Sequence, residues 1–250
     1  MKSHRAIAVF AGLGFLLSAT SAWGAELKLF EGNALKPVLD ELGPQFEKAT
    51  GNKLVATLGT TAQLKSRIDG GEGFDVTIMT KGTLDDLAAQ GKIADAPRAA
   101  IAHAGIGVAV RRGAAKPDLS SSDAFKRAML SAKSIGYVDQ TPTAANLKIV
   151  FAKLGIADEV QSKIKPLHIQ VGDAVANGDV EIGLTQISEI LSYAGVELAG
   201  PLPADIQTYT TFSAGVSAVS KNADATAALI KFLTAPAALP VIKAKGMEPG

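Results

Sequence analysis

The chain contains no cysteine. That absence removes thiol catalysis, disulfide exchange and thiolate metal sites together, and it leaves the core to hold the fold without covalent cross-links. Histidine is almost as scarce, with three in the chain. His4 lies in the N-terminal segment considered next, so His103 and His168 are too few to build a histidine zinc site. Neither charge sign dominates, with 25 basic against 24 acidic residues. A nucleic-acid or anionic-membrane partner would demand a basic field, and none is present. Beyond the N-terminus no apolar run reaches the 18 or so residues that a membrane helix requires.

What is present begins with an export signal. Met-Lys-Ser-His-Arg opens the chain, an apolar run extends from Ala6 to Ala19, and Ser-Ala-Trp-Gly-Ala follows. These are a basic n-region, an apolar h-region and a small-residue cleavage site. Ala22 and Gly24 fit the two small positions, so cleavage is expected after Gly24. A retained anchor is the competing reading, but the run is short for a bilayer span. Loss of residues 1–24 removes Lys2, Arg5 and the only tryptophan, Trp23, and shifts the net charge from +1 to −1. The remaining 226 residues suffice for one large or two small domains.

Short apolar strands then alternate with amphipathic helices, the pattern of a mostly parallel α/β sheet. Strands are expected at Leu27–Phe30, Lys53–Thr57, Asp75–Met79 and Ile106–Val110. Between them, Asn33 is placed as the N-cap of a helix bearing Leu35, Val38, Leu39, Leu42 and Phe46, with a kink at Gly43-Pro44. Helices are expected over Ala62–Ile68 and Thr83–Gln90. A second set follows Arg111-Arg112-Gly113: helices at Ala124–Ala132, Ala144–Leu154 and Asp158–Lys163, and strands at Ser134–Val138, His168–Val171, Ile182–Thr185 and Val196–Leu202. Thr208–Val219 is β-rich and can run back to the first set, and Ala223–Leu233 and Ala237–Lys245 close the chain as helices. Two α/β units joined near residues 108–113 and 208–215 would leave a cleft between them, the usual setting for hinge closure over a ligand. A single α/β domain is the alternative.

Three turns share one chemistry. Gly32-Asn33-Ala34, Gly59-Thr60-Thr61 and Thr141-Pro142-Thr143-Ala144 each put small polar residues before a helix. The first N–H groups of a helix have no internal acceptor and carry the positive end of its dipole. Several such ends converging on one cleft make an anion site without formal charge. The hydroxyls of Thr60, Thr61 and Thr143 and the Asn33 amide would add donors; plain N-capping is the alternative role for each. Gln186 and Ser188 follow a strand at its C-terminal end, where ligands gather in open α/β sheets. Asp173 is placed as a cap. Enzyme signatures are thin: no Gly-x-Ser-x-Gly, P-loop or His-Glu-x-x-His occurs. Gly70-Gly71-Glu72-Gly73 lacks the Lys-Ser/Thr of a phosphate loop, Asp85-Asp86 lies mid-helix as a solvated pair, and His168 sits among apolar neighbours. No nucleophile or base with an orienting partner is evident, so the chain is expected not to be an enzyme.

Several segments carry a resemblance. They are Gly59-Thr60-Thr61-Ala62-Gln63-Leu64 with Arg67-Ile68; Phe74-Asp75-Val76-Thr77-Ile78 with Leu84 and Leu87-Ala88-Ala89-Gln90-Gly91-Lys92; Ala176-Asn177-Gly178-Asp179-Val180-Glu181-Ile182-Gly183; Ala228–Leu233; and Ile242-Lys243-Ala244-Lys245-Gly246-Met247. In these the chain resembles the periplasmic molybdate-binding proteins, a branch of the type II solute-binding proteins of ABC importers, over nearly all of residues 26–250. The resemblance implies two lobes, each a mostly parallel sheet flanked by helices: residues 25–109 with 214–250, and residues 110–213. It implies a tetrahedral dianion clamped by neutral donors, with Asn33 at the family's first-helix serine, Thr61 at its ligand-binding hydroxyl, Thr143 at a backbone contact after a proline, and Gln186 at its tyrosine. The amides at Asn33 and Gln186 suit a small organic carboxylate as well as an oxyanion. No cofactor and no resident metal is implied, since a metal oxyanion would be held through its oxygens. The implied partners are the anion and an ABC membrane permease, the implied location is the periplasm, and the implied state is a monomer. A sensory receptor with a membrane signalling partner, or less readily an exported enzyme, would use the same fold.

Overall fold

A computed structural model describes residues 24–95, 98–167 and 170–250. The expected leader, residues 1–24, therefore lies outside the described residues apart from Gly24, as does His168. The first run of elements is β1 (Glu26–Gly32), a 3-10 turn (Asn33–Leu35), α1 (Lys36–Thr50), β2 (Lys53–Gly59), α2 (Thr61–Asp69), β3 (Val76–Thr80), α3 (Lys81–Ala89) and β4 (Ala99–Arg111). The second is α4 (Ser122–Ser131), β5 (Ile135–Val138), α5 (Pro142–Lys153), α6 (Ala157–Gln161), β6 (Ile164–Leu167), α7 (Val171–Asn177), β7 (Ile182–Gln186), α8 (Ile187–Ser192) and β8 (Val196–Pro201). The chain then closes with β9 (Tyr209–Val216), α9 (Ala223–Leu233), α10 (Leu239–Ala244) and β10 (Met247–Pro249).

Strand alternation builds the first lobe in three layers. Successive strand residues point to opposite faces, so Leu27, Leu29, Val76 and Ile78 meet Val38, Leu42 and Phe46 of α1 with Leu229 and Leu233 of α9. Phe30 and Met79 face the other way, against Leu64 and Ile68 of α2 and Leu84 and Leu87 of α3. Parallel β2, β1 and β3 lie side by side, and β9 adds antiparallel to β3. Asp75 ties β3 to its surroundings: its carboxylate accepts from the Lys28 N–H at 2.9 Å, the Ser220 hydroxyl at 2.6 Å and the Asn222 amide at 3.2 Å.

The second lobe repeats the plan. Parallel β5 pairs with β6 and β7. Phe125, Met129, Leu147 and Phe151 cover one face with Ile182 and Leu184, and Val171, Val175 and Ile190 cover the other with Ala109. The long β4 joins the lobes. Its first half, to Gly105, pairs with β9 and β10, and from Ile106 it pairs with β7 and β8. Pairing thus changes partner before the 109/110 division that the sequence suggested, and β9 pairs with first-lobe strands from Tyr209 onward, ahead of residue 214.

Some expected elements moved. The strand placed at His168–Val171 lies at Ile164–Leu167, and Gln170-Val171 instead caps and begins α7. Lys165 and Pro166 disguise that strand, but β6 is the sheet edge, where a missing N–H is tolerated. The stretch after Gln186, left unassigned by the sequence, forms α8, whose six residues are too few to show helical periodicity. Asn33 is not the N-cap of α1. Gly32 caps the 3-10 turn, Leu35 caps α1, and neither cap uses a side chain. Pro44 sits inside α1 without ending it.

Candidate functional site

One cavity of about 270 Å³ opens between the two lobes at the C-terminal ends of the parallel strands. Its walls are strand-to-helix junctions. Gly32, Thr60, Thr80, Thr141, Gln170 and Gln186 all line it, and each is the residue capping a helical start: the 3-10 turn, α2, α3, α5, α7 and α8 in that order. Three of these junctions belong to the first lobe and three to the second. Phe212 of β9 lies against the cavity, and a Cβ on Gly32 would come within 3.2 Å of its ring. A side chain there would force the Phe212 ring to give by a few tenths of an ångström.

Several caps are already spent on their own helices. Thr60 forms a full capping box with Gln63: its hydroxyl accepts from the Gln63 N–H at 3.2 Å, and its N–H donates to Gln63 Oε1 at 2.8 Å. The Thr141 hydroxyl accepts from the Ala144 N–H and donates to the Val138 carbonyl. The next positions are open. Thr61, Ala62 and Thr143 start helices whose first N–H groups have no internal acceptor. The Thr143 hydroxyl and the Asn33 amide have no hydrogen-bond partner among the described residues, and both residues line the cavity.

Of the residues expected at the site, Asn33, Thr60, Thr61, Thr143 and Gln186 come together around this cavity. Ser188 does not. It is the second residue of α8, wholly buried, and its hydroxyl has no partner. α8 carries it into the interior. Gln186 is 5% exposed, and its Oε1 is buried without a donor. An unsatisfied buried acceptor is costly, and a hydroxyl or acid proton on a ligand would relieve it.

Glu189 was not among the expected residues, yet it lines the same cavity. The residue is only half-buried, but its carboxyl is desolvated, which pushes its pKa up; the hydroxyl of Thr185, which donates to Oε2, partly offsets this. Tyr193, next to this acid and to Asp173, is pushed up to about 12, by burial first and by those two charges after it. Thr185 and Glu189 form the pairing of an acid with an orienting hydroxyl that was not recognised in the sequence. Their spacing of four was the available signal, but it becomes a contact only where β7 turns into α8. Among the described lining residues there is no Lys, Arg or His, so Glu189 is the one ionisable group facing the space. The cavity therefore offers amide, hydroxyl and backbone N–H donors, and a single carboxyl held toward its neutral form.

Known proteins share this architecture. Residues 27–248 match the profile of a family described as bacterial extracellular solute-binding protein. An aconitate isomerase from a Pseudomonas species is 30% identical over 244 residues, covering 94% of this chain and 93% of that protein. The molybdate-binding protein ModA of Azotobacter vinelandii is 28% identical over 242 residues, with 94% of each chain covered. The solved Azotobacter vinelandii periplasmic molybdate-binding protein superposes with a TM-score of 0.76 at 22% identity, over 90% of this chain and 99% of that one. The two-lobed type II binding fold expected from the sequence is thereby established.

Proposed function

The chain belongs to the bacterial extracellular solute-binding family, and from that premise we propose that it captures a small anion between its lobes and presents it to the permease of an ABC importer. The carrying observation is the convergence of six helical starts, three from each lobe, on a cavity with no cationic side chain among its described lining residues. Such ends attract negative charge, and a neutral lining rewards a ligand that brings its own. Asn33, Thr61, Thr143 and Gln186 are the direct donors in this reading. Thr60 acts through the cap that fixes α2, and burial, which raises the pKa of Glu189, lessens that residue's repulsion of the ligand. Capture occurs in the periplasm, after loss of residues 1–24, and by a monomer. Lobe closure about β4 and the segment between β8 and β9 divides the binding energy between both halves.

Two anion classes fit this lining. Tetrahedral oxyanions such as molybdate and tungstate follow from the donor positions. Small organic carboxylates are favoured by the amides at Asn33 and Gln186, by the unpaired Gln186 Oε1, and by the 30% identity to a protein named for aconitate. Calorimetry of the mature chain against molybdate, tungstate, sulfate, phosphate, citrate and both aconitate isomers tests the proposal. Binding of one class with a dissociation constant in the micromolar range or below is expected; heat-silent titrations with all of them would overturn it.

A further inference from the structure

Glu189 is hard to explain as a receptor group alone. A site that selects anions with neutral donors gains nothing from a carboxyl that repels them whenever it ionises. Yet this one lines the cavity and is oriented by a dedicated bond from Thr185, four residues before it and across the junction of β7 and α8. Around it stand the features that carbon-acid chemistry requires. There is one proton-accepting group, no competing base among the described lining residues, and around the same cavity the starts of α2 and α5 with their open N–H groups.

We propose that Glu189 shuttles a proton on bound unsaturated carboxylates, so that the cavity moves a carbon–carbon double bond along an allylic di- or tricarboxylate. The proposal rests on the carboxylate form of the receptor reading above. The ionised carboxylate takes a proton from a methylene carbon that lies next to both a carboxylate and the double bond. That C–H bond breaks, and its electron pair forms the new double bond. The former π pair moves to the far carbon, which takes a proton from the Glu189 carboxyl after the abstracted one has exchanged there with solvent. Composition is unchanged, and no oxidant, reductant or metal enters. The negative charge that develops on the substrate carboxylates falls toward Thr61, Ala62 and Thr143, whose N–H groups are fixed in place before reaction and cost no reorganisation. Thr185 holds the carboxyl through both transfers. Burial brings the pKa of Glu189 up from the ordinary carboxylate range, and a shuttle works best when its pKa approaches the ambient pH.

The test uses the mature chain with cis-aconitate and trans-aconitate as separate probes in deuterated buffer. Proton NMR follows isomer ratio and methylene exchange, and calorimetry measures affinity in parallel. The wild type is expected to interconvert the isomers and to lose methylene signal to deuterium. Glu189→Gln keeps the shape and the bond from Thr185, and it should lose turnover at least about 100-fold while its affinity changes less than tenfold. Glu189→Asp, with shorter reach, should fall between them. Wild-type protein that binds aconitate without exchanging its methylene overturns the shuttle and leaves the receptor reading standing, as does Glu189→Gln turning over at the wild-type rate. Binding of molybdate or tungstate with none of aconitate also overturns the shuttle alone. Failure to bind any anion removes both. A melting transition for each variant separates lost chemistry from lost folding.

Discussion

At the scale of single residues, two kinds of polar group are set against each other in the first lobe. Asn33 and Thr61 face the cavity with free donors, and replacing either by alanine should weaken anion binding by about 1–3 kcal/mol, the usual cost of an unmet buried partner. Calorimetry on the two variants checks this; unchanged affinity would return them to a role in turn geometry. Glu31 is the opposite case. It is 3% exposed, its Oε1 has no partner, and its pKa is raised to about 8, chiefly by burial, then by the charge of Asp40, with Lys36 pulling the other way. The unfolded chain releases this proton near 4.5 and the folded chain near 8. Between those values the native state holds the extra proton, so stability falls as pH rises through the window. The loss across the window is on the order of 4 kcal/mol. Glu31→Gln should flatten this dependence, read as a smaller drop in melting temperature between pH 5 and pH 8 than in the wild type. Five of the six residues named from the sequence line the cavity, because each stands at a strand-to-helix turn that local patterning reveals. It missed Glu189 because a burial-shifted acid looks like any surface glutamate until the fold encloses it.

At the scale of elements, packing between strand and helix sets what can change. Gly183 of β7 lies under α7, where an added Cβ would meet Val171 at 2.5 Å and Val175 at 2.6 Å. Gly183→Ala should therefore cost about 1–3 kcal/mol through overpacking, while Gly73→Ala, with nothing within 4 Å of its Cβ, should change stability by less than about 0.5 kcal/mol. Urea unfolding of the pair makes the comparison directly. The helices with long apolar stripes, α1, α5 and α9, were legible from their spacing alone. The short ones were not. Six residues in α8 and three in β10 are too few for any period to emerge; they exist because neighbouring elements satisfy their backbone and cover their apolar side chains. Ile190 of α8 and Met247 of β10 are both buried in this way.

At the scale of the whole molecule, the lobes meet around the cavity, and under the proposed function a bound anion adds to the stability of the chain. Saturation at about 100 times the dissociation constant should stabilise the mature chain by roughly 2.7 kcal/mol. A matching rise in melting temperature, with a smaller radius of gyration in solution scattering, is expected for the anion class that binds and absent for the others. The sequence by itself determined the α/β class, the two repeated units, the export signal expected at residues 1–24 and the turns able to receive negative charge, because alternation, capping and composition act over a few residues at a time. Only the tertiary structure decided that six helical starts point into one cavity, that Ser188 turns inward, and that Glu189 joins the site as an acid held toward neutrality. Those facts depend on which surfaces exclude water from one another, and segments far apart in the chain settle that only when both lobes are assembled on β4.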